Sequence, residues 1–338
     1  HTISYILEQK PEYICIISHL GRPKEYCQEL SWKTYIKQIN SFINMNIEIL
    51  ENGLSNETIQ ILNKSTQKSK IYLLENIRFH KEETIITEKS EYLTNIFNNL
   101  GNIFVNDAFG CSHRNHMSIN GFRNKNNFYY GFLIEKEICQ LDTIVYNNDK
   151  KVLAIIGGGK MDDKIPLLQN LSKKVDGIYI AGGNINSIIK DNKYKEIIRN
   201  IIDSLDTNSE IYMMKDGICS TKRDNNGYFK SKKDLLNDEY FFDIGMESII
   251  ELNNIIQEYD IIFWNGTLGL VENSYYKNGS ICLLNILKNS GKKIIIGGGD
   301  TANFVNRELS NTDSIGYIST GGGASIEYLS KGSLIGIR

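Results

Sequence analysis

Five times in the second half of the chain, a short apolar run ends on glycine, and this pattern constrains the fold more than anything else. Val152–Ile156 runs into Gly157-Gly158-Gly159-Lys160, and Gly177–Ile180 into Ala181-Gly182-Gly183. Ile261–Trp264 leads to Asn265-Gly266 and Lys293–Ile296 to Gly297-Gly298-Gly299-Asp300. Tyr317–Ser319 leads to Thr320-Gly321-Gly322-Gly323. Short apolar runs bounded by glycine read as buried strands. Stretches long enough for a crossover helix lie between most of them, so parallel α/β architecture is expected. In open sheets of this kind, ligands bind beyond the carboxyl ends of the strands. Glycine there lets the backbone approach a phosphate and start a helix whose N–H groups bind it.

The first half keeps the rhythm but carries cations at the strand ends. Strands are expected at Tyr13–Ile17, Lys70–Leu74 and Asn102–Val105. His19 and Arg22 follow the first, Arg78 the second and Arg114 the third. A single arginine is more often half of a surface ion pair. Three at equivalent strand ends point instead to a planar carboxylate or phosphate. In the second half, Lys160 and Lys164 should share a helix face if the helix starts at the glycines. Asp300 should cap a helix start or hold a divalent metal there, and the two roles can coexist. Cys111 with His113 or His116 could form a nucleophile pair. It reads better as a buried thiol near a loop histidine.

Composition removes whole classes of function. Lys and Arg number 38 against 40 Asp and Glu, so a net charge of −2 supports neither nucleic-acid nor anionic-membrane binding by the whole surface. A local basic cluster could still bind one small anion. The six cysteines form no C-x-x-C pair and have no zinc-finger histidine spacing, so they read as reduced, mostly buried thiols. No apolar run approaches the ~20 residues of a membrane helix. No apolar signal segment opens the chain, and a cytoplasmic location is expected. There is no G-x-x-x-x-G-K-[ST] loop and no protein-kinase signature set. Gly157-Gly158-Gly159 lacks the full dinucleotide fingerprint, which disfavours a dehydrogenase.

Taken together, the motifs resemble the phosphoglycerate kinase family over nearly the whole chain. The blocks, in family order, are SHLGRP (18–23), LLENIRFHKEE (73–83), VNDAFGCSHRNH (105–116), GFLIEKEI (131–138) and IIGGGKMDDKI (155–165). DIG (243–245), WNGTLGLVE (264–272), IIGGGDTANFV (295–305) and STGGGASIEYL (319–329) complete them. The resemblance implies an α/β protein of two doubly wound, Rossmann-like parallel-sheet domains joined by a hinge helix. The expected divisions are a triose-binding domain at 1–131, a hinge helix and linker at 132–150, a nucleotide-binding domain at 151–317, and a segment at 318–338 returning toward the first domain.

The implied reaction moves a phosphoryl group between 1,3-bisphosphoglycerate and Mg-ADP, giving 3-phosphoglycerate and ATP. It proceeds in line, with domain closure, in a monomeric cytoplasmic enzyme. The resemblance implies that His19, Leu20, Gly21, Arg22, Arg78 and Arg114 bind the triose. Lys164, Asn265, Glu272, Gly298, Gly299, Asp300 and Thr301 would bind nucleotide, with Asp300 also holding Mg2+. Lys160, Gly298 and Gly322 would serve the transferring group. Both exchanging oxygens are already ionised, so no general base is required, and positioning with charge neutralisation suffices.

Departures from the family pattern qualify this. The family's first strand, its Asp-x-Asn pair and the following arginine would precede His1, and the expectation is that this chain lacks them. An unpaired place in the N-terminal sheet would result. Gly159 stands where alanine is usual, Thr267 and Met246 where prolines are common, and Phe241 near the position of an adenine-site glycine. The alternatives are a nucleotide-binding paralogue with little or no turnover and an unrelated α/β nucleotide binder such as a dehydrogenase. The retained arginines argue against the first alternative, since a bare nucleotide binder has no use for them.

Overall fold

The computed structural model describes residues 1–65, 68–121, 127–147, 149–205 and 209–337. Asn148 of the expected linker and the terminal Arg338 lie outside the described residues. The chain divides into two compact units, residues 1–135 with 335–338, and residues 136–334. Both are α/β with parallel sheets.

In the first unit, β1 (Tyr13–Ile16), β2 (Ile47–Leu50) and β3 (Lys70–Leu74) form a parallel sheet in the order β1-β3-β2. Alternation along β3 explains why helices cover both faces. Ile71 and Leu73, with Ile47, pack against Ile3, Leu7, Trp32 and Ile36 from the helices Thr2–Glu8 and Trp32–Ile43. Tyr72 and Leu74, with Leu50, pack on the other side against Leu62, Leu93, Ile96 and Phe97. Successive strand residues face opposite ways, so a wholly apolar strand needs a cover on each face. The strand expected at Asn102–Val105 is shifted to β4 (Phe104–Asn106), which pairs with β5 (Phe128–Tyr130). The strands thus form two sheets instead of one, and β1 keeps an unpaired edge among the described residues.

The second unit holds β6 (Val152–Ile156), β7 (Gly177–Ile180), β8 (Glu210–Met213), β9 (Asp216–Ser220), β10 (Tyr228–Ser231), β11 (Tyr240–Ile244), β12 (Ile261–Asn265), β13 (Lys293–Gly297) and β14 (Tyr317–Ile318). Six of these form a parallel sheet in the order β14-β13-β12-β6-β7-β8. The chain therefore builds outward from β6 on one side and restarts from β12 on the other. This is a topological switch point, the place where ligands bind in doubly wound sheets. The polar stretch Thr221–Asp234, expected as a hairpin or loop, contains the turn and second strand of the β9–β10 hairpin, which joins β11 in a small antiparallel sheet. The cysteines are unpaired, but only Cys219 is buried and Cys139 is exposed, which corrects the expectation of mostly buried thiols.

One buried acid gives the second unit a pH dependence. Asp243, at the end of β11, accepts N–H bonds from Ile244 (3.0 Å) and Gly279 (2.9 Å). Burial pushes its pKa up to about 7, against the opposing pull of those N–H groups. An acid raised in the folded state contributes most below its unfolded pKa of about 4, and the contribution is lost as pH rises through about 7. Asp243→Asn should therefore gain on the parent chain by on the order of 2 kcal/mol in urea unfolding between about pH 5 and pH 8. An unchanged difference would show that Asp243 is ionised in the fold.

Candidate functional site

In the first unit, the loop after β1 is tied to the segment after β3. Asn76 donates its side-chain amide to Leu20 O and Leu30 O, each at 2.8 Å, and Ile77 N–H bonds Ser18 O at 3.2 Å. Arg78 Nη1 donates to Gly21 O at 2.5 Å, while its buried Nε has no partner. Glu75 is spent on structure: its carboxylate accepts Ser31 Oγ, Trp32 N and Asn76 N.

These ties bring the expected cations into one electrostatic neighbourhood. Burial lowers the His19 pKa, and Arg78, Arg114 and His116 push the same way while Glu83 opposes. Burial also lowers that of Arg78, with Arg114 and Arg22 adding to the effect. His19, Arg22, Arg78 and Arg114 thus share a region of positive potential that would attract a small anion. Leu20 and Gly21 contribute backbone to the same loop. Two supporting residues escaped the sequence reading. Asn76 braces the loop, and Glu83, 2% exposed, accepts Ser118 N and Oγ and lies 3.4 Å from His116 Nδ1. Both sit inside motif blocks, but nothing in the spacing marks them as ties.

In the second unit, strand register aligns the glycine junctions. Asn265 pairs with Ile156 on one side and Gly297 on the other, so the ends of β6, β12 and β13 lie together. Gly157 N–H bonds Asn265 O and Gly158 N–H bonds Thr267 O, each at 2.8 Å. Asn184, also missed by sequence reasoning, donates Nδ2 to Gly157 O at 2.7 Å. Thr301 Oγ1 accepts Gly266 N–H at 2.7 Å. Lys164 donates to the Asn265 side-chain oxygen. Burial lowers the Lys164 pKa, with Asp300 and Asp163 opposing. The fully buried Asn265 Nδ2 has no partner. Leaving such a donor unpaired costs about 1–3 kcal/mol, a cost that a ligand acceptor would remove.

Two expectations need correction. Lys160 does not share a helix face with Lys164, because it is the extended N-cap residue (φ −114°, ψ 97°) of the helix Met161–Leu171. A cation there opposes the helix dipole, which favours an anion at the same place. Asp300 is not a cap either. Gly298 is the N-cap, φ +89°, and Asp300 lies in the first turn of the helix Gly299–Glu308. Its exposed carboxylate has no hydrogen-bond or ion-pair partner among the described residues, so it is free to meet a cation.

Gly322 starts the helix Gly323–Lys331 in the same manner, at φ +52°. The loop before it is held by Glu137, wholly buried, which accepts Ser319 Oγ (2.7 Å), Thr320 N (2.8 Å) and Thr320 Oγ1 (2.9 Å). Glu137 also went unnoticed in the sequence. Both glycine-capped helices leave first-turn N–H groups without intrahelical partners, as phosphate-binding helix starts do. Lys164, Asn265, Gly298, Asp300 and Thr301 are thus brought together. Glu272 lies exposed on the loop after β12, and no described hydrogen bond or ion pair links it, Gly299 or Gly322 to that group.

The sheet order, the switch point and the glycine-capped helix starts define a two-unit α/β protein with Rossmann-like, doubly wound architecture. A sequence model of the phosphoglycerate kinase family matches residues 1–332. The chain is 34% identical to the phosphoglycerate kinase of Coprothermobacter proteolyticus over 99% of its own length and 87% of that protein. It is 30% identical to that of a Wolbachia from Brugia malayi, over 96% and 84% of the two chains. Among solved structures, the Coxiella burnetii phosphoglycerate kinase superposes with a TM-score of 0.84 at 27% identity, covering 99% of this chain and 87% of that one. The Pyrococcus horikoshii enzyme shares the fold at a TM-score of 0.79 and 22% identity. The chain belongs to the phosphoglycerate kinase family.

Proposed function

We propose that this protein transfers a phosphoryl group between 1,3-bisphosphoglycerate and ADP, giving 3-phosphoglycerate and ATP. The observation that carries the reading is the family match along residues 1–332. Nothing in the comparisons favours a nucleotide binder without turnover.

In this reading the 1–131 domain binds the triose. His19, Arg22, Arg78 and Arg114 neutralise its phosphate and carboxylate, and the Leu20-Gly21 backbone shapes the loop around them. The nucleotide-binding domain at 151–317 holds the nucleotide at Lys164, Asn265, Glu272 and the helix start Gly298–Thr301. Lys160 and the N–H groups following Gly298 and Gly322 face the transferring group and stabilise its equatorial oxygens. The carboxylate and phosphate oxygens that exchange the group are already ionised, so the protein's work is orientation, charge neutralisation and exclusion of water. The finer parts of the proposal are monomeric action, a cytoplasmic location, and closure about the helix Phe132–Val145.

The residues fit Mg2+ in a limited way. Asp300 offers one unpartnered carboxylate, and no group of three or more acidic or histidine or cysteine ligands exists among the described residues. That suits a cation that keeps several waters and takes its other oxygens from nucleotide phosphates. Asp300 would hold the ion, which would supply neutralisation of phosphate charge.

The test is a coupled turnover assay with Mg-ATP and 3-phosphoglycerate, with Lys160→Ala as background. The parent chain should turn over, and the substitution should lower kcat by about 10²–10³-fold with KM for nucleotide changed only a few-fold. Absence of turnover above that background would remove the reaction from this chain and leave only its family.

A further inference from the structure

The unit formed by residues 136–334 has a second place suited to an anion, at the end of its sheet opposite the glycine junctions. A cavity of about 420 Å³ opens at the amino ends of β13 and β14. Lys136, Lys288, Lys292 and Lys293 line it, with the neutral donors Gln140 and Ser314, and no carboxylate is among its described lining residues. None of the four lysines forms an ion pair among the described residues. Lys136 Nζ lies 5.5 Å from the ring centroid of Tyr317, a lining residue, so its ammonium group is held near the wall, whereas Lys292 Nζ donates to Gln257 O, outside the lining, at 2.8 Å. Lys293 is half-buried; burial lowers its pKa, and Lys150 pushes the same way against Cys139.

Like charges gathered in a concave, partly desolvated space repel one another, and a low-dielectric wall focuses their field. A neighbouring cavity is lined by Lys150, Lys151, Lys173 and Lys174, but Asp149 and Asp176 line it too and supply counter-charge. Among the described residues, no carboxylate lines the cavity beside β13. Strand β13 runs five residues from Lys293 to Gly297, so roughly 13–17 Å of strand separates this cavity from the nucleotide-type loop.

We propose that the cavity lined by Lys136, Lys288, Lys292 and Lys293 binds a soluble polyvalent phosphate, a small anion with at least two negative charges. The site is independent of the phosphoryl-transfer reading and of the cation cluster around Arg78.

Inorganic tripolyphosphate is the probe, titrated calorimetrically at constant ionic strength into the full chain and into two variants. One carries Arg78→Ala with Lys164→Ala, which disables the two anion sites described above. The other carries Lys136→Gln with Lys293→Gln. The first variant should retain one binding event, and the second should lose it by at least about tenfold. Tripolyphosphate near saturation should raise Tm of the first variant by about 2–4 °C. Combining the cavity substitutions with the Arg78 and Lys164 substitutions should abolish that rise. Lys136→Gln/Lys288→Gln alters only exposed side chains and serves if the Lys293 change impairs folding. The same loss of binding is expected from it.

Loss of all binding in the Arg78/Lys164 variant would overturn the proposal. So would binding that the cavity substitutions leave unchanged, or that equal ionic strength of chloride abolishes. Co-sedimentation with phosphatidylserine vesicles, without free tripolyphosphate binding, would overturn the soluble-anion assignment in favour of a lipid headgroup.

Discussion

Arg78→Ala should raise KM for 3-phosphoglycerate by about 10–100-fold, because a charge-assisted contact to an anion is worth about 1.5–3 kcal/mol. The same change should leave Tm nearly unmoved. Arg78 is partly buried among Arg22, Arg114 and His19, so truncating it relieves repulsion in the empty protein even as it removes the bond to Gly21 O. A functional cluster of like charge is held at some cost to stability, and the two readouts should therefore separate. Binding should also depend on pH. The His19 pKa is lowered in the free protein, and an anion beside it would raise that value. Triose binding should therefore take up a fraction of a proton on the acid side of neutrality, seen as a buffer-dependent calorimetric heat. If Arg78→Ala left KM unchanged, or raised KM only together with a marked fall in Tm, the cation cluster would not be the triose site.

Gly266→Ala and Gly159→Ala should give opposite results, although both glycines border the same loop region. At Gly266 the backbone has φ +93°, and an added Cβ would lie 2.2 Å from Gly157 O and 2.9 Å from Gly158 N. Both obstacles are backbone, so relief requires β6 and β12 to separate at the switch point. Left-handed strain costs about 1–2 kcal/mol by itself, and the clash adds to it. A loss of at least about 3 kcal/mol in urea unfolding is expected, together with loss of nucleotide binding. At Gly159 an added Cβ meets nothing within 4 Å and φ lies outside the left-handed range. Gly159→Ala should be neutral or stabilising by up to about 1 kcal/mol, through reduced freedom of the unfolded chain. The alanine usual in the family at this position therefore needs no room made for it. Equal effects from the two substitutions would mean that the β6–β12 crossing is looser than its hydrogen bonds indicate.

Much of the second unit was legible because its signals are local. A buried parallel strand is a continuous apolar run, and a glycine turn follows it directly in the chain, so Val152–Ile156 and Gly177–Ile180 coincide with β6 and β7. The first unit was less clear. Ile47–Leu50 and Phe128–Tyr130 are short and hold polar or exposed residues, so nothing marked them as β2 and β5. Phe241 shows another limit. From sequence it stands near the position of an adenine-site glycine, and only the structure shows a core residue 1% exposed, with both backbone groups bonded to the Asn186 side chain.

The sequence alone determined the α/β class, the family and the roster of cations and glycines, because each is written in contiguous residues. Tertiary structure decided which of those residues meet. The β14-β13-β12-β6-β7-β8 order sets Asn265 between Gly157 and Gly298, although 108 and 33 positions separate them along the chain (265 − 157 and 298 − 265). It also gave Asn76, Glu83, Glu137 and Asn184 their bracing roles and placed four lysines around one cavity. The reason is that a hydrogen bond or an electrostatic field depends on distance in space, and only packing of the strands and helices sets that distance.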